Sequence, residues 1–310
     1  MTARERRNLT LQIFIVPAII LIAVYLYYPI ANTIYLSLFE IKNFNLDQRV
    51  FIGLTNYTKL FKDPTFWVAF RNTVLIACAT IFVQMPIAFL LGDFLSNHVR
   101  KKHRHLEAWL LLALFFPIVL PTPVLAKSWR LFFVGLQGVG YGPFEWLTQK
   151  FGLTDLIINL FTTKSVLLLQ ELHTAIWVVI AIQTWARIGF NLLIYRSAIL
   201  SISSEIYESA EIDGAGPWTR LFYITTPLTR NVINVTVILA ILGVFQLFDM
   251  IWMLTNQGQP LNSTQVLATY MYTRAFIDLR TGYGSTIAIF ILVTAVTLSL
   301  IQRWLFRESK

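Results

Sequence analysis

Long apolar stretches alternate along this chain with short polar segments that carry most of its charge. A membrane-spanning helix needs roughly 20 mostly apolar residues. Six stretches meet that length: Leu11–Leu38, Phe70–Leu95, Ala108–Val134, Leu172–Leu200, Val232–Leu254 and Tyr283–Leu305. The first follows Arg4, Arg6 and Arg7, like the charged start of a signal peptide. It continues past Pro17 to Leu38 and lacks a small-residue cleavage site, so it reads as a helix. Pro17, Pro29, Pro86, Pro117, Pro121 and Pro123 lie in or near these stretches. They predict bent or broken helices, which are tolerated where neighbours or a cavity satisfy the freed backbone groups. No internal repeat is visible. The pattern predicts an all-α integral membrane protein of about six transmembrane helices.

Composition supports this class. The 310 residues are 56% hydrophobic and 13% charged, about half the charge of a soluble domain. An ordinary soluble enzyme is excluded. So is disorder, given nine Trp, twelve Tyr and 24 Phe. The net charge of +9 raises nucleic acid as a partner, but in a membrane chain Lys and Arg gather on the cytoplasmic side and set orientation. With the N-terminus inside, 13 of the 25 basic residues fall on inner segments, among them Arg100, Lys101, Lys102 and Arg104, and eight on outer ones. The expected layout is a cytoplasmic N-terminus over 1–10, one six-helix domain over 11–305 and a cytoplasmic C-terminus over 306–310. The lone Cys78 lies in an apolar run and reads as a packing residue, with no disulfide framework or thiolate metal site.

Two loops stand out. The outer loop over 135–171 opens with Gly135, Gly138, Gly140 and Gly142. The inner loop over 201–230 has more internal order. There Ser203 or Ser204 caps a short helix bearing Glu205, Glu208 and Glu211, acids that the positive end of a helix dipole favours. Asp213-Gly214 ends that helix, because glycine accepts the left-handed conformation of a helix terminus. Gly216-Pro217 turns into a second amphipathic helix with Trp218, Leu221, Phe222 and Ile224. The expected result is a helix–turn–helix elbow with an acidic, small-residue edge.

The order of residues in this elbow resembles the EAA loop of binding-protein-dependent ABC importer permeases. Glu208, Ala210, Asp213, Gly214, Ala215, Phe222, Ile224 and Pro227 stand at the family's positions, with Ser209 in place of one alanine. The likeness to the carbohydrate-uptake branch (maltose, glycerol-phosphate and oligosaccharide permeases) extends over the chain. It includes Tyr28-Pro29, Phe51 to Tyr57, Asp63 to Trp67, Pro117 to Pro123 with Trp129, Phe245 to Asp249, and Gly282 to Ser285. One departure is Asn256 to Pro260, where the family has Gly-Gly-Pro.

The resemblance implies a type I permease fold with a cytoplasmic coupling helix, in a bacterial-type inner membrane. Glu208, Ser209, Ala210, Asp213, Gly214 and Ala215 would dock on a separate ATPase subunit, Glu208 pairing with a basic residue there. ATP and Mg would be held by that partner; this chain has no phosphate-binding loop, no cofactor of its own and no catalysis. The implied partners are a second homologous permease, two ATPase copies, an extracytoplasmic binding protein, a sugar substrate and membrane lipid, with no nucleic acid. By resemblance to the maltose permease, sugar-facing positions are Gln183, Ala186, Arg187 and Phe190 on the fourth span. On the fifth they are Gly243, Val244 and Leu247.

Arg187 is open to several readings: a donor fork to sugar hydroxyls or to an anionic substrate such as a glycerol phosphodiester or a uronate, or a structural role, paired with Asp249 or snorkelling toward an interface. Other candidates favour structural roles. His98, His103 and His105 sit in a basic inner cluster rather than a metal site. Trp129, Phe132 and Phe133 suit an interfacial aromatic belt more than a sugar stack. Glu171 and His173 could pair locally, and Asp93 lies at an inner helix end. An ion-coupled secondary transporter would need buried acids in its spans, and Asp249 is the one serious candidate. An embedded enzyme would need paired carboxylates, a His–Asp pair or a metal cluster, and no span carries one.

Overall fold

The structure is a computed structural model that describes residues 15–41, 46–99, 103–135, 142–163 and 165–306. Arg4, Arg6, Arg7, Arg100, Lys101, Lys102, Gly138, Gly140, the side chain of His98 and the termini 1–10 and 307–310 lie outside the described residues. In chain order the elements are α1 (Ile15–Ser37), a two-stranded hairpin β1 (Phe39–Glu40) and β2 (Val50–Phe51), α2 (Thr55–Phe61) and α3 (Pro64–Asn97). Then come α4 (Arg104–Val119), α5 (Thr122–Val134), α6 (Pro143–Lys150), α7 (Thr154–Phe161) and α8 (Ala175–Leu200). The chain ends with α9 (Ser204–Ile212), α10 (Pro217–Leu228), α11 (Arg230–Phe245), α12 (Asp249–Leu254), α13 (Leu267–Tyr272) and α14 (Thr281–Leu305).

Four of these helices, α1, α3, α8 and α14, are each long and apolar enough to cross a membrane. The helices α4 with α5, and α10 with α11, are bent pairs that bring the number to six when each pair is one span. The third apolar stretch, expected as one helix over Ala108–Val134, is therefore two helices meeting at 98°. Its break follows from proline chemistry. A residue before proline is pushed out of the helical region, and Leu120, before Pro121, sits at φ −73°, ψ 136°. The fifth stretch, expected over Val232–Leu254, is likewise interrupted, ending as a helix at Phe245 and resuming at Asp249.

Proline also explains most of the widened turns. The π turns Ala23–Tyr27, Thr80–Gln84 and Leu221–Thr225 each end two residues before a proline, at Pro29, Pro86 and Pro227. A proline ring cannot donate a backbone hydrogen bond and presses on the carbonyl four residues back. Adding one residue to the preceding turn makes room for it.

The described residues group into two compact units. The first draws on Met1–Asp63 and Tyr270–Val293. Within it, buried Asn56 on α2 donates to the Ser37 and Phe39 carbonyls at 2.9 and 3.0 Å, closing the end of α1. The Asp63 carboxylate receives the Tyr270 and Tyr283 hydroxyls and lies 3.7 Å from the Arg274 guanidinium. Burial, and next the adjoining Asp63 carboxylate, push the Tyr270 hydroxyl up to about 12.

The second unit draws on Pro64–Thr269 and Thr294–Lys310. Here α8 packs along the Met85–Phe94 half of α3 and against α4. One apolar cluster joins Ile76, Leu125, Val179, Val244 and Ile251; a second joins Met85, Ala88, Ile188, Leu192 and Tyr195. Gly189 permits the α4–α8 approach: a Cβ there would stand 2.2 Å from the Leu114 carbonyl oxygen. Asn72, fully buried, donates to the carbonyls of Ser263 at 2.7 Å and Gln265 at 2.8 Å. Cys78, expected as packing, is exposed. The helical repeat turns it away from Asn72, Ile76 and Thr80, whose face is buried.

Candidate functional site

The inner elbow is the first of two candidate regions. Ser203 accepts a hydrogen bond from the Glu205 backbone N–H at 3.3 Å and so caps α9, whose first turn carries Glu205. At the other end the Ala215 N–H bonds the Ala210 carbonyl at 2.8 Å, and the Gly214 N–H bonds that of Glu211 at 3.1 Å. This pair of bonds is a Schellman ending, with Gly214 as its left-handed residue at φ 78°. Nothing lies within 4 Å of a Cβ built on Gly214. Within this chain, glycine therefore serves the backbone turn rather than a crowded contact.

Two interactions that motif reading did not find hold the elbow in shape. The buried Tyr207 hydroxyl meets Thr225 Oγ1 at 3.0 Å, tying α9 to α10, and burial raises that hydroxyl above the ordinary tyrosine range. Glu211 pairs with Arg220 at 3.1 Å, so one acid of the predicted edge is used internally. Glu208, Ser209, Asp213 and Gly214 are exposed, while Ala210 and Ala215 are half-buried. Ile212, Trp218, Phe222 and Tyr223 are exposed alongside them. An outward face of acids and large apolar groups is suited to another protein.

The second region is a pair of cavities in the same unit, of about 170 and 80 Å³. Gln183 and Arg187 line both; Ala186 lines the first, and Phe190, Gly243 and Val244 line the second. Leu247, grouped with them by resemblance, lies in the apolar core beside Met250 and Ile251 and in neither wall. Thr80, Gln84, Asn191 and Thr236 join the lining. The resemblance does not name them. Of the four, Asn191 is a polar midspan position that the sequence itself offers on the fourth span, whereas Gln84, also an amide in an apolar span, is not singled out by it. No ion pair joins Arg187 to Asp249, which is exposed at the start of α12.

The remaining candidates fall into place. Arg196 donates through Nε to Glu107 at 2.9 Å and pairs with it through Nη2, joining the end of α8 to the start of α4. Trp129, Phe132 and Phe133 pack with Phe144 and Trp185 in one aromatic cluster. Among the described residues no three His, Cys, Asp or Glu side chains gather in a metal-binding group.

Helices of spanning length, bent helix pairs and an exposed elbow define a polytopic membrane protein of permease architecture. Residues 84–309 match the model of the binding-protein-dependent transport system inner membrane component family. The chain belongs to that family. It is 33% identical over 298 residues to the "Probable ABC transporter permease protein YurN" of Bacillus subtilis, covering 96% of each chain. It is 31% identical over 309 residues to the lactose transport system permease protein LacF of Rhizobium radiobacter, covering 96% of this chain and 94% of the relative. A solved bacterial alginate ABC transporter, in complex with an alginate pentasaccharide-bound periplasmic protein, has the same fold. Its TM-score is 0.80 at 21% identity, covering 97% of this chain and 95% of that one.

Proposed function

We propose that this chain is one of two permease subunits in an ATP-driven importer for a saccharide. The saccharide arrives on an extracytoplasmic binding protein, and both chain termini are cytoplasmic. The observation that carries the reading is the elbow: an acidic, exposed helix ended by Gly214, within the segment that matches the family. Its exposed Glu208 and Asp213 dock on a separate ATPase, where ATP and Mg are bound and hydrolysed. Movement of the elbow reaches the spans through the Tyr207–Thr225 contact and the bend between α10 and α11. This chain performs no chemistry; it shapes half of the pathway.

A relative named for lactose transport and a fold neighbour solved with an oligosaccharide-bound periplasmic protein support a sugar cargo. Amide and hydroxyl side chains in the cavity walls suit polyhydroxylated rings. The test is purification of the tagged chain from its host, with mass spectrometry of what comes with it. An ATPase, a second permease and a saccharide-binding protein are expected. A lone homo-oligomer would overturn the reading.

A further inference from the structure

Arg187 occupies the thirteenth of the 26 positions of α8, so about 18 Å of helix separates it from either end. That distance is beyond the reach of an arginine stem, and the guanidinium cannot snorkel to a water interface. It lines both cavities, and neither wall contains Asp or Glu. No ion pair or side-chain hydrogen bond to Arg187 occurs among the described residues. Nine positions further along the same helix, Arg196 is handled differently: buried Glu107 neutralises it. The chain thus supplies a carboxylate to one arginine of α8 and leaves the other facing an open, acid-free wall. Ionisable groups within spans ordinarily pair or serve the transported solute.

We infer that the transported saccharide is itself acidic, and that Arg187 receives its carboxylate. A planar guanidinium matches a carboxylate in a two-pronged contact. Gln84, Gln183 and Asn191, which share the wall, are left to meet the neutral hydroxyls. This inference rests on the importer reading and narrows its cargo to sugar acids.

The test uses proteoliposomes holding the complete complex and its binding protein. Uptake is measured for oligogalacturonate and oligoglucuronate, their neutral methyl esters, and the neutral sugars maltotriose and lactose. The wild type is expected to favour at least one acid over its ester. Arg187→Gln should lower uptake of that acid at least about tenfold, a loss typical of hydrogen bonds to a charged group. It should lower ester uptake by a clearly smaller factor, so that the acid-to-ester ratio falls, and Arg187→Lys should recover part of the loss. Because the same binding protein serves every variant, a change in acid-to-ester ratio reports the permease. ATP-dependent uptake of neutral sugars alone would overturn this inference while leaving the importer intact. Unaltered acid uptake by Arg187→Gln would overturn it as well. Loss of the second permease from the Arg187→Gln complex would assign the guanidinium to a subunit contact, against the inference. No ATP-dependent uptake of any saccharide would remove both readings.

Discussion

Gly214 offers a sharp perturbation because its role is separable from packing. The residue sits at φ 78° with no atom near a prospective Cβ, so a side chain there is strained but not crowded. An L-residue in the left-handed region costs about 1–2 kcal/mol, which is roughly a 5–30-fold shift in population away from the closed turn. Asparagine and aspartate enter that region more readily than alanine. Coupling should therefore fall in the order Gly214, Gly214→Asn, Gly214→Ala. Gly214→Asp should fall below Gly214→Asn, the difference isolating one added negative charge at the docking face. All variants should remain folded and membrane-inserted, since the strain stays within one helix ending. The assay is substrate-stimulated ATP hydrolysis by the purified complex in lipid discs. Normal stimulated hydrolysis in Gly214→Ala and Gly214→Asp would refute the docking role. A loss that tracked side-chain size, with Asn worse than Ala, would refute the backbone argument.

Three further outcomes concern the helix framework. Gly189→Ala places a Cβ against the Leu114 carbonyl, and the forced separation of α4 and α8 should cost about 1–3 kcal/mol, read as a lower midpoint of thermal unfolding in detergent. Glu107→Gln leaves Arg196 without its carboxylate; the variant should be destabilised by about 1–3 kcal/mol, with a double-mutant cycle including Arg196→Gln showing coupling between the sites. Asn72→Ala strips the partners from the Ser263 and Gln265 carbonyls. The cost is about 1–3 kcal/mol per orphaned group, and amide hydrogen exchange over 263–267 should accelerate.

What could be read from sequence followed the range of the physics involved. Apolar run length located the spans, because bilayer thickness imposes it directly. The prolines at 117, 121 and 123 announced a break, but the 98° angle between α4 and α5 depends on packing that hydropathy does not encode. In the elbow, the cap at Ser203 and the ending at Gly214 are local, and local chemistry was legible. The Tyr207–Thr225 contact spans 18 positions and the Glu107–Arg196 pair spans 89; nothing in residue spacing couples such partners. Helical spacing grouped Gln183, Ala186, Arg187 and Phe190 on one face of α8. It could not separate the relation of Arg187 to Asp249 from a role in the cavity, since that depends on where α12 begins after the break at Phe245. Leu247 illustrates the same dependence. It follows that break, and its position in the core is set by the turn rather than by a continuous helix face.

An ATP-driven importer requires that this chain conduct a saccharide only within the complete complex. Proteoliposomes containing the complex purified through this chain should accumulate saccharide when ATP and the loaded binding protein are supplied on opposite faces, and stop when either is withheld. Uptake by this chain alone, driven by an ion gradient and indifferent to ATP, would contradict the account.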